Sequence, residues 1–404
     1  MGHPDAITLH FPEFVRVAGE VLQGHIDLDL GAAGEDKIDE VHIKLRGSIV
    51  TRITEYENKP GEGTQTHYKT ETVELVRVDQ VLWDQKNAPP NLPQVIQCPF
   101  QLPLPTGLPP SFHFSHHNRA VTISYAIEVV GHRHGILHAN RRVRKVFPVV
   151  PPGDLAATAA LSQGWRGPWR PYRVQDKIRH GIFGDHSEAT MEFVVPELPT
   201  FPMGVGFPFA LHIWTKTKPV HQEDLESKHG KLFPAPPESA SEVEVKLKRR
   251  GRLHVYFQSE DIDENIQLRG SLGDSAALAN IRTTFDQPTF TPMPDGHNKG
   301  VWNRGVHFEG FLTLPEAPTY STKTVEWHYI LEVKMDFPGL GNILKFEVPI
   351  HINSGVACPP LPQAPYQYNV PYTYPLPGGP PPMINLPPSY WSGEHHNWDE
   401  VNGE

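Results

Sequence analysis

Cysteine is scarce in this chain. There are two in 404 residues, Cys98 and Cys358. Their spacing suggests neither a disulfide framework nor a finger-type metal site. No Asn-x-Ser/Thr sequon occurs anywhere. No apolar run approaches the ~18 residues that a membrane-spanning helix needs. The first residues lack the basic-then-apolar layout of a secretory signal. Ala6 stands where an N-myristoylation signal wants Ser or Thr. These absences together lead us to expect a cytoplasmic protein. Excess positive charge is missing too: the net charge is −10 and the isoelectric point about 6.1. That argues against a general affinity for nucleic acid or anionic lipid, so no nucleic-acid partner is expected.

Enzyme signatures are also lacking. There is no Gly-rich phosphate loop, no Gly-x-Ser-x-Gly elbow and no His-Glu-x-x-His. We therefore expect no catalytic residue, cofactor or metal. A β-sandwich hydrolase stays as an alternative, because catalytic pairs are recognised by geometry rather than spacing. The 23 histidines include two local clusters, His113/His116/His117 and His132/His134/His138. Zinc needs ligands that converge in space with a supporting shell, and polar loop composition explains these clusters better.

Proline, by contrast, is plentiful. The 43 prolines are about twice the ordinary share and fall between apolar stretches and in the final fifty residues. The stretches themselves alternate. Val41, Ile43 and Leu45 interleave with His42, Lys44 and Arg46, and Val121, Ile123, Tyr125, Ile127 and Val129 do the same with polar neighbours. A period of two places one face in a core and the other in water, and short strands of this kind between Gly/Pro turns predict sandwiches. The pattern then repeats about two hundred residues later. Val243, Val245 and Leu247 answer the first run, and Val325, Trp327, Tyr329, Leu331 and Val333 answer the second. Each half also has a proline-marked corner, Leu104 to Phe112 and Leu314 to Tyr320. Two similar sandwiches in tandem fit this spacing; a solenoid does not.

Between the halves, Asp154 as a cap, an Ala-rich run and Gly164 as a stop predict a short helix. A second is expected from Asp274 to Ile281. Trp165, Trp169 and Tyr172 are expected to cover a seam or pack on either sandwich. Glu57–Thr70 and Lys216–Ser241 read as long, loose loops. Lys218, Lys228 and Lys231 in the second are accessible candidates for modification.

Four short marks in this order are similar to an arrestin N-domain. They are Val17-Ala18-Gly19-Glu20-Val21-Leu22-Gln23-Gly24, Val41-His42-Ile43-Lys44-Leu45-Arg46-Gly47, Leu108-Pro109-Pro110-Ser111-Phe112 and Val121-Thr122-Ile123-Ser124-Tyr125. Ala189 to Ile352 is similar to an arrestin C-domain. The chain thus resembles the arrestin superfamily, and specifically fungal α-arrestins, the arrestin-related trafficking adaptors, over most of residues 6–352. The expected fold is all-β: two tandem immunoglobulin-like, arrestin-type sandwiches with a short linker helix and a disordered Pro-rich tail. The expected boundaries are 1–152, 153–185, 186–353 and 354–404.

The tail contains Leu386-Pro387-Pro388-Ser389-Tyr390, a Pro-Pro-x-Tyr motif. Prolines preset a polyproline II ridge that loses little entropy on docking into a WW domain, and Tyr390 supplies an amphipathic anchor. Leu386 adds an apolar contact. Ala364-Pro365-Tyr366 and Pro371-Tyr372 lack the motif's spacing, so one copy must act without the avidity of a pair. The resemblance implies that the sandwiches hold a membrane transporter or receptor as cargo. It implies that the tail recruits a HECT-type ubiquitin ligase through its WW domains, that ubiquitin is added covalently, and that the protein is drawn peripherally to plasma membrane or endosomes. A retromer-like subunit or signalling scaffold on the same double sandwich is the alternative. Arg141, Arg142, Arg144 and Lys145 form a basic run suited to phosphate, as do Lys246, Lys248, Arg249, Arg250 and Arg252. The solvent face of a strand explains both runs more simply.

Overall fold

The computed structural model describes residues 5–360 apart from 13, 60–62, 134–138, 181–183, 228–231, 271, 273 and 295–297. Its architecture is the expected pair of β-sandwiches.

In the first sandwich one sheet joins Ile7–His10, Val21–Asp29 and Val95–Pro103. The facing sheet orders Gly63–Asp84, Ile38–Lys59, Arg119–Arg133 and Phe112–His116, and Arg141–Phe147 also pairs with Arg119–Arg133. In the second sandwich one sheet runs Trp169–Arg179, His186–Pro196, Gly206–Lys216 and Lys299–Thr313. The other runs Gln258–Ile266, Val243–Val255, Val325–Asp336 and Tyr320–Ser321, with Ile343–Ile350 also paired to Val325–Asp336.

The duplication extends to register. Ile43 lies opposite Val129 and Leu45 opposite Ile127; their counterparts Val245 and Leu247 lie opposite Val333 and Leu331. All eight are buried. The corners repeat at the level of single hydrogen bonds. Ser111 N–H donates to Val149 O at 2.7 Å while Val149 N–H donates to Ser111 Oγ at 2.9 Å. Thr319 and Ile352 exchange the same two bonds at 2.8 and 2.9 Å. Tyr125, fully buried, donates its hydroxyl to Pro109 O at 2.8 Å. Pro109-Pro110-Ser111-Phe112 is thus a pinned corner, as its core-facing Phe112 suggested. Gly19 and Gly204 occupy equivalent turns just before a sheet strand, at φ 94° and 71°, a region that residues with a Cβ rarely adopt.

The linker helix forms at Leu155–Ser162, with Asp154 Oδ1 accepting from Ala156 N–H and Ala157 N–H and Gly164 at φ 88° beyond its end. Other expectations need correction. The linker ends earlier than 185, because Trp169–Arg179 is the edge strand of the second sandwich; Trp169 and Tyr172 belong to that strand. Among the described residues of Glu57–Thr70 there is strand rather than loose loop: 57–59 and 63–70 extend the long hairpin of 38–59 and 63–84, and from Thr64 to Thr70 the side chains are exposed or half-buried. The Asp274–Ile281 helix is reduced to turns and a single 3₁₀ turn at Leu278–Asn280, although Asp274 does accept from Ala276 N–H. The described part of 216–241 holds a short strand Val220–His221 and a single helical turn Asp224–Ser227, and it is anchored at buried Leu232, where the guanidinium of buried Arg304 donates to the carbonyls of Leu232 and Pro234. Residues 354–360, expected in the tail, are packed. Ser354 Oγ donates to Pro151 O at 2.6 Å and Val356 O accepts from Gly153 N–H at 2.6 Å.

Candidate functional site

The two sandwiches share one interface. Phe112 and Phe114 of the first meet Trp327 of the second edge-on, with ring centroids 4.8 and 5.3 Å away, and Phe112 also meets Tyr320 at 5.6 Å. The guanidinium of Arg249 lies 5.2 Å from the ring centres of both Phe114 and Trp327. Glu264 and Glu316 hold it at 2.6 and 3.2 Å. Burial raises the Glu316 carboxyl above its usual range, against the pull of Arg249. Around this apolar centre run polar clasps between the two sandwiches. Thr51 Oγ1 donates to Thr324 Oγ1 at 3.0 Å, Glu71 accepts from Tyr256 N–H at 2.7 Å and Lys323 Nζ at 2.8 Å, and Arg119 donates to Asp261 O at 2.6 Å. Sequence reasoning missed this seam because its partners lie some two hundred residues apart.

A cleft of about 440 Å³ opens in the first sandwich, lined by Asp5, Ile7, Glu35, Asp36, Arg141 and Arg142 among others. Two strands flank it, Ile7–His10 and Arg141–Phe147. Among the described residues each pairs with a neighbouring strand on one side only. The helix Leu30–Glu35, capped by Asp29, brings Asp36 to the rim. There Asp36 takes a two-pronged bond from Arg141, at 2.8 and 3.1 Å, and a second guanidinium, that of Arg133, at 3.5 Å. Hydrogen bonding to Asp36 raises the Arg141 pKa further.

The basic run therefore arrives already paired. Arg142 bonds Glu128 at 3.2 Å, and Arg144 lies opposite Glu128 in register. Arg144 and Lys145 also have interactions of their own. In the second run Lys246 pairs with Glu244, Lys248 with Glu332, Arg250 with Glu347 and Arg252 with Asp261, at 2.5 to 3.0 Å. That is the salt-laced outer face of a sheet. The histidine clusters do not gather at one point: His116 faces Glu264 at 3.3 Å and meets His117 at 3.9 Å between ring centres, His113 bonds Thr122, and His132 meets His42; His134 and His138 lie outside the described residues. Lys218 pairs with Asp185 at 3.2 Å, whereas Lys228 and Lys231 lie outside the described residues. Leu386, Pro387, Pro388 and Tyr390 lie outside them as well.

Residues 6–156 match the family model for the arrestin (or S-antigen) N-terminal domain. The first sandwich is arrestin-like. The match spans the whole first sandwich, from its opening strand through the corner at Leu108–Phe112 to the start of the linker helix. The second half repeats the sandwich architecture and lies outside that match. No curated protein matches the chain as a relative. No helix among the described residues is long and apolar enough to cross a membrane.

Proposed function

We propose that this arrestin-like protein is an α-arrestin-type adaptor that holds a membrane transporter or receptor near a WW-domain, HECT-type ubiquitin ligase. The observation that carries this reading is the Leu386-Pro387-Pro388-Ser389-Tyr390 motif following an arrestin-like double sandwich. No reaction occurs on the chain in this reading. The adaptor acts through effective concentration, because binding cargo and ligase on one chain converts their encounter into an intramolecular event. Ubiquitin is then added to cargo, adaptor or both. The protein reaches plasma membrane or endosomes through its cargo.

The cleft beside Arg141 and Arg142 is the proposed cargo-docking place. Two half-paired strand edges can accept an extended segment by main-chain hydrogen bonds. Charged or phosphorylated cargo must then compete with Asp36 for Arg141.

The test is capture by immobilised WW domains. Wild type should bind, Tyr390→Ala should not, and a chain ending at residue 360 should behave like Tyr390→Ala. Equal capture of all three removes the ligase-recruiting reading. The apolar, clasped seam between the sandwiches supports a second reading, a retromer-like structural subunit or scaffold. In that case the chain ending at residue 360 keeps full function.

A further inference from the structure

Two histidines and a carboxylate meet on the outer face of the three-stranded sheet in the first sandwich. Along Val21–Asp29 the even-numbered residues from Leu22 to Leu28 are buried, so His25 and Asp27 project the other way. In the paired strand Ile7–His10 the buried residues are Ile7 and Leu9, which sends Thr8 and His10 outward. The antiparallel register sets His10 opposite His25 and Thr8 opposite Asp27. The result is a cross-strand histidine pair with a carboxylate one pleat along.

The rings of His10 and His25 stack at 4.5 Å, only 14° from parallel. Nε2 of His10 lies 2.8 Å from Asp27 Oδ2, and Nε2 of His25 lies 3.9 Å from Asp27 Oδ1. One ligand atom from each of the three residues falls within 4.8 Å of the others. We propose that His10, His25 and Asp27 bind a divalent transition-metal ion, with zinc the best match to this ligand set.

Tetrahedral zinc with bonds of roughly 2.0–2.1 Å needs ligand atoms about 3.3 Å apart, so the stacked His10 and His25 rings must splay to aim their in-plane lone pairs at one ion. Asp27 Oδ1 is buried without a hydrogen-bond partner, and an anionic oxygen in that state favours a cation. A histidine that binds an ion through Nε2 carries its single proton on Nδ1, so His10 Nε2 would exchange its contact with Asp27 for the ion. Three protein ligands leave a fourth position for water or for a side chain from a partner.

Two other histidine pairs show what this arrangement adds. His212 and His307 bond each other through Nδ1 at 2.5 Å, and His307 turns its other nitrogen to Asp286. His42 places Asp79 and Glu40 on opposite ring nitrogens, at 2.7 and 3.0 Å. Neither pair gathers three ligand atoms at one point.

The experiment is calorimetric titration of the full chain with zinc, repeated with cobalt to read the ligand-field absorption of a tetrahedral site. Wild type should take up one tightly bound ion. His10→Gln and Asp27→Asn should each weaken it at least tenfold, as losing a ligand must cost no less than losing a supporting contact, while His212→Gln should not. Both changed side chains face outward, and metal-free melting curves equal to wild type establish that the variants fold. Absence of tight zinc uptake by wild type, or uptake untouched by both His10→Gln and Asp27→Asn, overturns the proposal.

Discussion

Phe112 and Trp327 meet across the domain boundary with their ring planes at 64° and their centroids 4.8 Å apart. Phe112 is 3% exposed and Trp327 1%, so each ring depends on the other sandwich for part of its burial. Truncating a buried Trp or Phe to Ala typically costs about 3–5 kcal/mol. Trp327→Ala should fall in that range by denaturant unfolding. A double-mutant cycle with Phe112→Ala should show coupling of about 0.5–1.5 kcal/mol, the share assigned to the ring contact itself. Additive single effects would mean that the two sandwiches are not coupled through this pair.

Glycine is required where strands cross large rings. A Cβ on Gly251 would lie 2.5 Å from the Trp327 ring, and one on Gly47 would lie 2.6 Å from Tyr125. Both rings are fully buried and cannot move aside. Gly251→Ala and Gly47→Ala should each destabilise by about 1–3 kcal/mol through overpacking. Gly34 makes the contrast: it lies in a helix with nothing near its missing Cβ. Gly34→Ala should stabilise by roughly 0.5–1 kcal/mol, and thermal melts of the three variants would separate these cases.

The clasp at Glu71 predicts a pH effect with a definite sign. Hydrogen bonding from Lys323, then from Tyr256 N–H, lowers the Glu71 carboxyl below its ordinary value of 4.5. A lowered folded-state pKa contributes stability that is present above the ordinary value and lost as pH falls through the folded one. At neutral pH Glu71→Gln should therefore melt below wild type. Below pH 4.5 the two curves should converge. A gap that stays constant into acid would assign the loss to packing rather than charge.

Truncation should show where the body ends. A chain stopping at residue 353 loses the bond from Ser354 to Pro151 and the acceptor for Gly153 N–H; one stopping at 360 keeps both. The shorter chain should unfold at lower temperature than the full protein, and the longer one at the same temperature. Identical melts for both truncations would show that residues 354–360 add nothing to the fold.

The sequence could be read wherever the deciding contacts were local or periodic. Alternation at Val41–Leu45 and Val121–Val129 identified strands and their faces, and repetition at Val243–Leu247 and Val325–Val333 doubled them. Asp154 and Gly164 bracketed the linker helix because caps act within a few residues. The errors share a cause. Glu57–Thr70 looks loose because both faces of an extended ribbon are polar, which leaves no apolar stripe to read. Trp169 and Tyr172 look like linker residues because an edge strand is defined by its partner, His186–Pro196. The seam and the His10–His25–Asp27 cluster depend on register, which no spacing reveals. Of the histidines that do lie close in sequence, His116 and His117 meet at 3.9 Å between ring centres while His113 turns to Thr122.

The packing of residues 354–360 against the linker fixes where the rest of the chain departs. Val356 O and Ser354 Oγ bond Gly153 N–H and Pro151 O in the segment that joins the sandwiches, and Cys358 Sγ then lies 3.5 Å from where a Cβ on Gly19 of the first sandwich would stand. From Pro360 to Pro387 the sequence counts 27 residues, a contour of roughly 90–97 Å at full extension. That contour is a tether length measured from the first sandwich. The proposed ligase would have to work within that reach.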